Sequence, residues 1–389
     1  MTSSSIYLDN AATSFPKADA VYEAVDSWQR NSGAAFGRGI RGADQADSVV
    51  EHCRHQLAQL IAADDHRSIA LTFSATDGLN LLLRGILRPG QHVVTTMLEH
   101  NSVLRPLEQL RTLLPITVEY VPFDVQTGCI VPDTFAEALT RQKPDLVVLN
   151  AMSNVTGTVQ PIRELLEAAQ QTGARTLLDV SQIIGHLPID VNDMGIDLLA
   201  APGHKGLGGP QGTGFVYVAP ALHEQMISVR CGGTGTSSES LQQPNHMPAL
   251  LESGNLNMPG LAGLDAALSW RGTDDFAEHT LRHHQINEML HQGLAEIPCV
   301  ITYCGTNPRA VSGVASFNIE GADPHDVATI LSQSFGVQSR AGLHCAPLVH
   351  QTLGTDIEGG TVRLSTGLFN TQQEIDQALE AIASVAAAL

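Results

Sequence analysis

The sequence is poor in positive charge. Lysine and arginine together number 21, against 40 aspartate and glutamate residues, which gives a net charge of −19 at pH 7. A nucleic-acid-binding protein needs a basic surface that neutralises phosphates. The charge balance therefore argues against nucleic acid as a partner and favours small metabolites or other proteins.

Membrane-spanning runs and targeting signals are also missing from the sequence. No uncharged apolar stretch reaches the length that spans a bilayer, and the first residues, MTSSSIYLDNAATSFPK, contain no basic segment followed by an apolar one. We therefore expect a cytoplasmic globular protein with no membrane contact. A chain of 389 residues favours two domains over one.

Cysteine is scarce, and its spacing does not indicate a metal site. The six cysteines lie at positions 53, 129, 231, 299, 304 and 345, with no C-x-x-C pair. Histidines at 279, 283, 284 and 291 fall partly on one helical face, a pattern that is more often a solvated face than a metal site. We predict reduced thiols, a solvated histidine face and no bound metal.

Alternating strand and helix patterns dominate the middle of the chain. Short β-rich runs alternate with helical patterns such as VYEAVDSWQR, GLNLLLRGIL and IRELLEAAQQTG. The strand candidates are HVVTTM, DLVVLN, TLLDV, DLLAA and GFVYV. This alternation predicts a sheet covered by helices on both faces. In such folds ligands bind beyond the carboxyl ends of the strands.

A helix start in the segment FSATDGLNLLLRG is a candidate anion site. Ser74, Ala75, Thr76 and Asp77 lead into the predicted helix. Free backbone N–H groups at a helix start, with hydroxyls beside them, suit a phosphate. A capped helix without any ligand is the alternative, and taken alone it is the more common case.

An aspartate and a lysine follow two later strands. Asp179 ends TLLDV, and a carboxylate buried there needs a cation or hydrogen-bond donors. Lys205 lies in the glycine-rich turn PGHKGLGGPQGTG, where it is either a Schiff-base lysine or a solvated surface residue. Together with the helix start, the two residues match what pyridoxal phosphate (PLP) requires, namely a lysine, an acid and a phosphate site.

The motifs of the chain resemble those of the cysteine desulfurases, which belong to the class V aminotransferase-like branch of the fold-type I PLP enzymes. The resemblance covers nearly the whole chain and rests, in order, on YLDNAATS, SATDGLNLL, LEHNSVL, SNVTGT, LDVSQIIGHLPIDV, PGHKGLGGPQGTG, RAGLHCAP and TVRLSTGLFNT. It implies an α/β fold with a large doubly wound, mainly parallel seven-stranded sheet domain at 16–272. A smaller α/β domain would comprise 1–15 and 273–389.

The resemblance also implies roles for individual residues. Lys205 would be the Schiff-base lysine, Asp179 the partner of the pyridine nitrogen, and Arg363 the clamp for the substrate carboxylate, which suits a planar guanidinium. The implied catalytic residues are Lys205, Cys345, His100 and Asp179. The implied cofactor contacts are Ala75, Thr76, His100, Asn154, Asp179, Gln182, His204, Lys205 and, from the neighbouring subunit of a homodimer, Asn255. The implied substrate contacts are Asn10, Ala11, Arg38, Asn154, Arg340 and Arg363.

Three of these residues have plainer interpretations. His100 could cap a helix, Asn154 could be a turn residue, and Arg363 could be a surface ion-pair partner. The chain also departs from the family pattern at two places. Pro202 stands where relatives often have a serine or threonine phosphate donor, and Asn255 stands where they tend to have a threonine.

The segment SRAGLHCAPLVH contains the most telling cysteine, Cys345. Arg340 and His344 could favour its thiolate and Gly342 lets the loop bend, although a buried inert thiol is the common alternative. The resemblance, to the short-loop, group II-like desulfurases, implies that Cys345 takes sulfur from L-cysteine as a persulfide, releases L-alanine and passes sulfur to an acceptor protein. A selenocysteine lyase, a cysteine C–S lyase, a class V aminotransferase or epimerase and a non-enzymatic partner protein are the alternatives.

Overall fold

The computed structural model describes residues 5–37, 43–234, 239–303 and 313–388. The helices are α1 Asp19–Asn31, α2 Ala43–Leu60, α3 Ala75–Ile86, α4 Asn101–Leu113, α5 Pro132–Arg141, α6 Ile162–Thr172, α7 Met258–Trp270, α8 Asp274–Glu296, α9 Pro324–Phe335, α10 Pro347–Leu353 and α11 Gln372–Ala388. The strands are β1 Ile6–Tyr7, β2 Ile69–Thr72, β3 His92–Thr96, β4 Thr117–Val121, β5 Leu146–Asn150, β6 Arg175–Asp179, β7 Leu198–Pro202, β8 Gly214–Val218, β9 Val300–Thr302, β10 Val314–Ile319, β11 Val337–Gln338, β12 Arg340–Gly342 and β13 Thr361–Ser365. None of the described helices is both long and apolar enough to cross a membrane.

The predicted seven-stranded, mainly parallel sheet is confirmed. Its strand order is β2-β8-β7-β6-β5-β3-β4, and only β8 runs antiparallel to its neighbours. The five strands predicted from sequence are all present. The two that were not predicted, β2 and β4, lie at the sheet edges; β2 has four residues, and β4 is largely unburied and contains Glu119.

Helices cover both faces of this sheet, as the sequence pattern predicts. In β5, Val147 and Leu149 pack into the core that contains α2, α5, α6 and α7, while Leu146 and Val148 pack into the core that contains α3 and α4. A strand buried on both faces has no polar side to show, which explains why this segment reads as a continuous apolar run.

A second, four-stranded antiparallel sheet in the order β12-β13-β10-β9 has its own apolar core with α8, α9 and α11. The amino-terminal segment joins this part of the chain, because β1 lies parallel to β11 and Asp9 bridges to Ser365. The division into 16–272 and 1–15 plus 273–389 stays a prediction.

The register of the central strands brings polar residues to one edge of the large sheet. Asn150 at the end of β5 lies opposite Asp179 at the end of β6, and Asp179 lies opposite Ala200 in β7. The loops that follow these strands therefore meet at one place, as expected for the carboxyl ends of parallel strands.

A buried ion pair ties α2 to the edge of the large sheet. Arg54 is 1% exposed and donates two hydrogen bonds to Glu252, at 2.6 and 2.7 Å. The same carboxylate accepts the backbone N–H of Leu71 in β2, and Arg54 also donates to the carbonyl of Ile69. The two charges thus neutralise each other, and the strand backbone supplies a further hydrogen bond to each of them.

We expect Glu252→Ala to lower the free energy of unfolding by about 3 kcal/mol or more, because it leaves the Arg54 guanidinium buried without its counter-ion. Urea denaturation followed by circular dichroism measures the change. Arg30→Ala is the matched control, since Arg30 pairs with Asp26 on the exposed face of α1 and its loss should change stability little. Equal urea midpoints for Glu252→Ala and Arg30→Ala would contradict this expectation.

Candidate active site

A cleft of about 460 Å³ lies at the carboxyl edge of the large sheet. Its lining residues are Ser74, Ala75, Thr76, His100, Ser102, Asn150, Asn154, Asp179, Ser181, Gln182, Pro202, His204 and Lys205. Eight of the nine predicted cofactor contacts are among them, although they come from five different loops. The ninth, Asn255, is exposed and lies outside the lining.

One end of the cleft has the features of a phosphate site. Helix α3 begins there, and its N-cap residue Ser74 accepts the N–H of Asp77. The Asp77 carboxylate would repel an anion, but it accepts hydrogen bonds from Arg230 at 3.1 and 3.2 Å. The positive end of the helix and the Thr76 hydroxyl therefore remain to receive a phosphate.

Ser102 is a site residue that the sequence analysis missed. Its hydroxyl lies 2.7 Å from that of Thr76 and 2.9 Å from Nδ1 of His100. Pro202 lines the same cleft and has no side-chain donor. The Ser102 hydroxyl therefore adds a donor to the phosphate end of the cleft, where the sequence lacks the one expected at position 202. The position of Ser102 at the start of α4 in LEHNSVL could have indicated it as a site residue. Only the packing of α3 against α4 reveals its contact with Thr76.

His100 both caps α4 and lines the cleft, so its two interpretations are compatible. Its Nδ1 accepts the backbone N–H of Ser102 at 3.0 Å, which leaves the ring proton on Nε2. Burial, and then the positive charge of Lys205, lower the pKa of His100 to about 4. The imidazole is therefore neutral near pH 7.

Asp179 and Lys205 lie in the same cleft and interact electrostatically. Burial raises the pKa of the Asp179 carboxyl, which accepts the N–H of Ser181 at 2.9 Å. Burial lowers the pKa of Lys205 to about 8, while the negative charge of Asp179 opposes that shift. Lys205 is therefore not the solvated surface residue that was its alternative.

Glu99 is a second residue that the sequence analysis missed. It is 0% exposed, and its Oε1 accepts hydrogen bonds from the Thr96 hydroxyl at 2.8 Å and the Asn150 N–H at 3.0 Å. Burial raises the pKa of Glu99 to about 8. Glu99 is thus mostly neutral at pH 7, and its carboxyl group holds the end of β5, where Asn150 lies opposite Asp179.

Two buried polar atoms in the cleft have no hydrogen-bond partner among the described residues, Oδ1 of Asn154 and Nδ1 of His204. Leaving such atoms unpaired inside a protein is costly, so they indicate a ligand that would pair with them. A helix start for a phosphate, an acid for a ring nitrogen and a lysine for an aldehyde complete a set that fits PLP.

Arg363 lies next to this cleft and is 1% exposed, so it is not a surface residue. It donates to Oδ1 of Asp9 at 2.7 Å and to the carbonyl of Asn154 at 3.1 Å. Its Nε has no partner in the described part of the chain. Asp9, which the sequence analysis did not single out, thus occupies part of the guanidinium fork predicted to clamp a carboxylate.

The other predicted substrate contacts differ in what the structure shows of them. Asn10 is engaged in holding the chain, because it donates to the Ser365 carbonyl at 3.0 Å and accepts the Phe15 N–H at 3.0 Å. Asn10 and Ala11 line a second cavity that shares Lys205 with the cleft. Arg38 lies outside the described residues.

Two successive carbonyls of the Cys345 loop accept hydrogen bonds from residues that follow strands of the large sheet. Asn154 donates to the carbonyl of His344 and the Asn101 N–H donates to that of Cys345, each at 2.7 Å. His344 and Cys345 have φ values of 48° and 59°, which are uncommon for residues other than glycine. Such strain in two neighbouring residues is typical of functional loops.

Only one of the two predicted thiolate-favouring neighbours contacts the sulfur. Nη2 of Arg340 lies 3.7 Å from Sγ of Cys345. His344 instead directs Nε2 to Thr361, and burial lowers its pKa well below the usual value. A buried imidazole without an acidic partner stays neutral, so of the two neighbours expected to favour the thiolate only Arg340 brings positive charge.

The histidine-rich helix α8 also differs from its prediction as a solvated face. His283 is buried and lies 3.0 Å from the Thr366 hydroxyl, because α8 packs against the four-stranded sheet. Among the described residues one group of three potential metal ligands lies together, Glu51, His55 and His66, and none of them lines the cleft.

Comparisons with known proteins identify the family of the chain. The model of the Aminotransferase class-V family matches residues 6–378. A probable cysteine desulfurase from Methanothermobacter thermautotrophicus is 33% identical over 386 residues, covering 98% of this chain and 94% of the relative. The apo structure of a cysteine desulfurase from Thermococcus onnurineus NA1 superposes with a TM-score of 0.90 at 30% identity, covering 99% and 95% of the two chains.

A further solved structure, a cysteine desulfurase from Escherichia coli in an S-sulfonic acid form, superposes with a TM-score of 0.87 at 27% identity, covering 99% of this chain and 95% of the other. The family model and the similar chains each extend over nearly all of the sequence. The chain belongs to the class V aminotransferase family and shares its fold with cysteine desulfurases.

Proposed function

We propose that this enzyme is a PLP-dependent cysteine desulfurase, which converts L-cysteine to L-alanine and keeps the sulfur as a persulfide on Cys345. The observation that supports this most is the Cys345 loop. A thiol next to Arg340, on a strained loop hydrogen-bonded to Asn154 of the cleft, is an arrangement that an inert core cysteine does not need.

Different residues of the cleft would bind different parts of PLP. The start of α3, Thr76, Ser102 and His204 would hold the phosphate, and Asp179 the ring nitrogen. His100 would face the ring, and Asn154 and Gln182 its hydroxyl side. When bound, PLP supplies an aldehyde for the substrate amine and a sink for electrons released at the α carbon.

The residues of the chain supply the remaining steps. Arg363 binds the substrate carboxylate, for which its unpaired Nε is suited, and Lys205, with a pKa of about 8, moves the α proton. The Cys345 thiolate then attacks the substrate sulfur. An S–S bond forms as the C–S bond breaks, the electron pair of the C–S bond goes to carbon, and protonation of that carbon gives alanine.

The rival activities use the same cleft but not Cys345. A cysteine C–S lyase would release pyruvate and sulfide, and a class V aminotransferase would need no thiol at all. A selenocysteine lyase would act on the selenium compound. The contact of Cys345 with Arg340 and the attachment of its loop to the cleft favour the desulfurase.

Three further features belong to this proposal. The enzyme is a homodimer in which Asn255, exposed in the single chain, reaches the phosphate of the partner subunit. It works in the cytoplasm, and Cys345 passes its sulfur to an acceptor protein. The exposure of Leu343, two residues before Cys345, supports an approach by such a partner.

The first test concerns Lys205. Borohydride reduction of the purified yellow enzyme should fix the cofactor covalently on the peptide that contains Lys205, and Lys205→Ala should lose this label and the activity. Peptide mass spectrometry measures the label, with Lys143→Ala on the exposed surface as the control. A label on Lys17 or Lys143 in the wild-type enzyme would contradict the assignment.

The second test concerns Cys345. Wild-type enzyme given L-cysteine without an acceptor should gain one sulfur atom on the Cys345 peptide, which a reductant removes. Cys345→Ser should lower alanine formation by about a hundredfold or more, because a serine hydroxyl is not ionised near pH 7. The exposed Cys231 provides the control variant Cys231→Ser. Alanine formation at the wild-type rate by Cys345→Ser, with unchanged cysteine binding, would favour the rival activities.

The third test concerns the subunit contact. Asn255→Ala should weaken PLP binding about tenfold while the dimer persists, since one hydrogen bond to a charged group contributes about 1.5–3 kcal/mol. Absorbance titration of apoenzyme with PLP measures affinity, and sedimentation measures the oligomeric state. Unchanged PLP affinity would argue against the contact, and a monomeric enzyme would argue against the dimer.

A further inference from the structure

A second cavity, which we call the chamber, adjoins the cleft and contains about 910 Å³ of space between protein atoms. Ser181, Gln182 and Lys205 line both cavities. Lys17, Trp270 and Phe369 line only the chamber. It lies between the amino-terminal segment, the turn after β6, the end of α7 and the segment after β13. Arg363 is not part of its lining, so the chamber is distinct from the predicted carboxylate clamp.

The charge of the chamber is opposite to that of the protein. The sequence has only three lysines, and two of them, Lys17 and Lys205, line this one cavity. No aspartate or glutamate stands among the described residues that line it, although the chain has 40 acidic residues and a net charge of −19. Because Lys205 would be bound to PLP in the holoenzyme, Lys17 is the amine that remains for an anionic ligand, and the described lining residues include no carboxylate to compete with that ligand.

Lys17 has no acidic partner among the described carboxylates. Its Nζ donates to the Ser14 hydroxyl at 2.7 Å and to the His204 carbonyl at 3.0 Å, and both acceptors are neutral. The His204 carbonyl also accepts the Ser14 N–H at 3.0 Å and the Thr13 hydroxyl at 3.2 Å. It would therefore stay hydrogen-bonded if Lys17 turned to a ligand. Burial lowers the pKa of Lys17 to about 8, which leaves it mostly charged at pH 7.

The rest of the chamber wall is largely apolar and aromatic. Trp270 and Phe369 stack with ring centroids 5.7 Å apart, and Val21, Ile183 and Leu187 also line the cavity. His283 presents a neutral ring, since burial lowers its pKa to about 4. An apolar wall with one or two converging polar groups is the usual composition of a small-molecule site.

We propose that the chamber binds a small carboxylate with an aromatic or aliphatic body, with its carboxylate on Lys17 and its body against Trp270 and Phe369. The chamber shares Lys205 and the predicted substrate contacts Asn10 and Ala11 with the cysteine chemistry proposed above. The site is additional to that chemistry, because neither Lys17 nor the aromatic wall has a role in sulfur removal. Its ligand binds without turnover, so the two proposals can fail independently.

The test compares 3-phenylpropionate with its neutral amide, 3-phenylpropionamide, on the holoenzyme. The chain has two tryptophans, so Trp28→Phe leaves Trp270 as the only one, and its emission reports the chamber. We expect a saturable change with the carboxylate and about tenfold weaker binding of the amide, because a charged hydrogen bond is lost. Calorimetry on the wild-type enzyme gives the same comparison without a substitution.

Substitutions of Lys17 then test whether the carboxylate of the probe binds to this residue. Lys17→Met should weaken carboxylate binding about tenfold and leave amide binding unchanged, while Lys17→Arg keeps the charge and most of the affinity. Lys143→Met, on the exposed surface, is the matched control and should bind like wild type. Equal affinity of wild type for acid and amide, or no binding at about 10 mM, overturns the proposal. Binding that survives Lys17→Met but is lost in Arg363→Met also overturns it, since the probe would then bind at the substrate clamp.

Discussion

The site depends on one constraint: charged side chains are buried away from water at the carboxyl edge of the large sheet. Asp179, Lys205 and Arg363 come from three separate strands or turns, and all three have pKa values shifted by burial. Charges held this way are costly unless they meet a partner of opposite sign. Asp9 supplies such a partner for Arg363, and the cationic ring nitrogen of the cofactor would supply one for Asp179.

The amino-terminal segment connects the two parts of the site. Asp9 holds the Arg363 guanidinium of the four-stranded sheet, and four donors from residues 13–17 converge on the carbonyl of His204, next to Lys205. The same short segment thus positions both the predicted carboxylate clamp and the predicted catalytic lysine. This explains why YLDNAATSFPK, which contains no obvious catalytic group, contacts so much of the site.

The Cys345 loop shows how a strained backbone is stabilised from outside. Its carbonyls accept hydrogen bonds from Asn154 and from the first N–H of α4, and His344 is bound to Thr361. These contacts come from both sheets, so the loop conformation depends on how the two sheets face each other. Among the described residues, Arg340 is the one cation that contacts the sulfur. The motif RAGLHC had indicated two such neighbours, Arg340 and His344.

The sequence by itself determined the layered fold and most of the residues that line the cleft in which PLP is proposed to bind. Buried parallel strands appear as continuous apolar runs, and loops after such strands must meet at one edge, so Asp179, Lys205 and the α3 start could be assigned from local patterns and resemblance. The tertiary structure alone revealed Ser102, Glu99, the Asp9–Arg363 pair, the neutral His344 and the chamber around Lys17. The physical reason is that hydrogen bonding and burial of charge depend on neighbours that are distant in the chain, and Asp9 and Arg363 are separated by 354 positions.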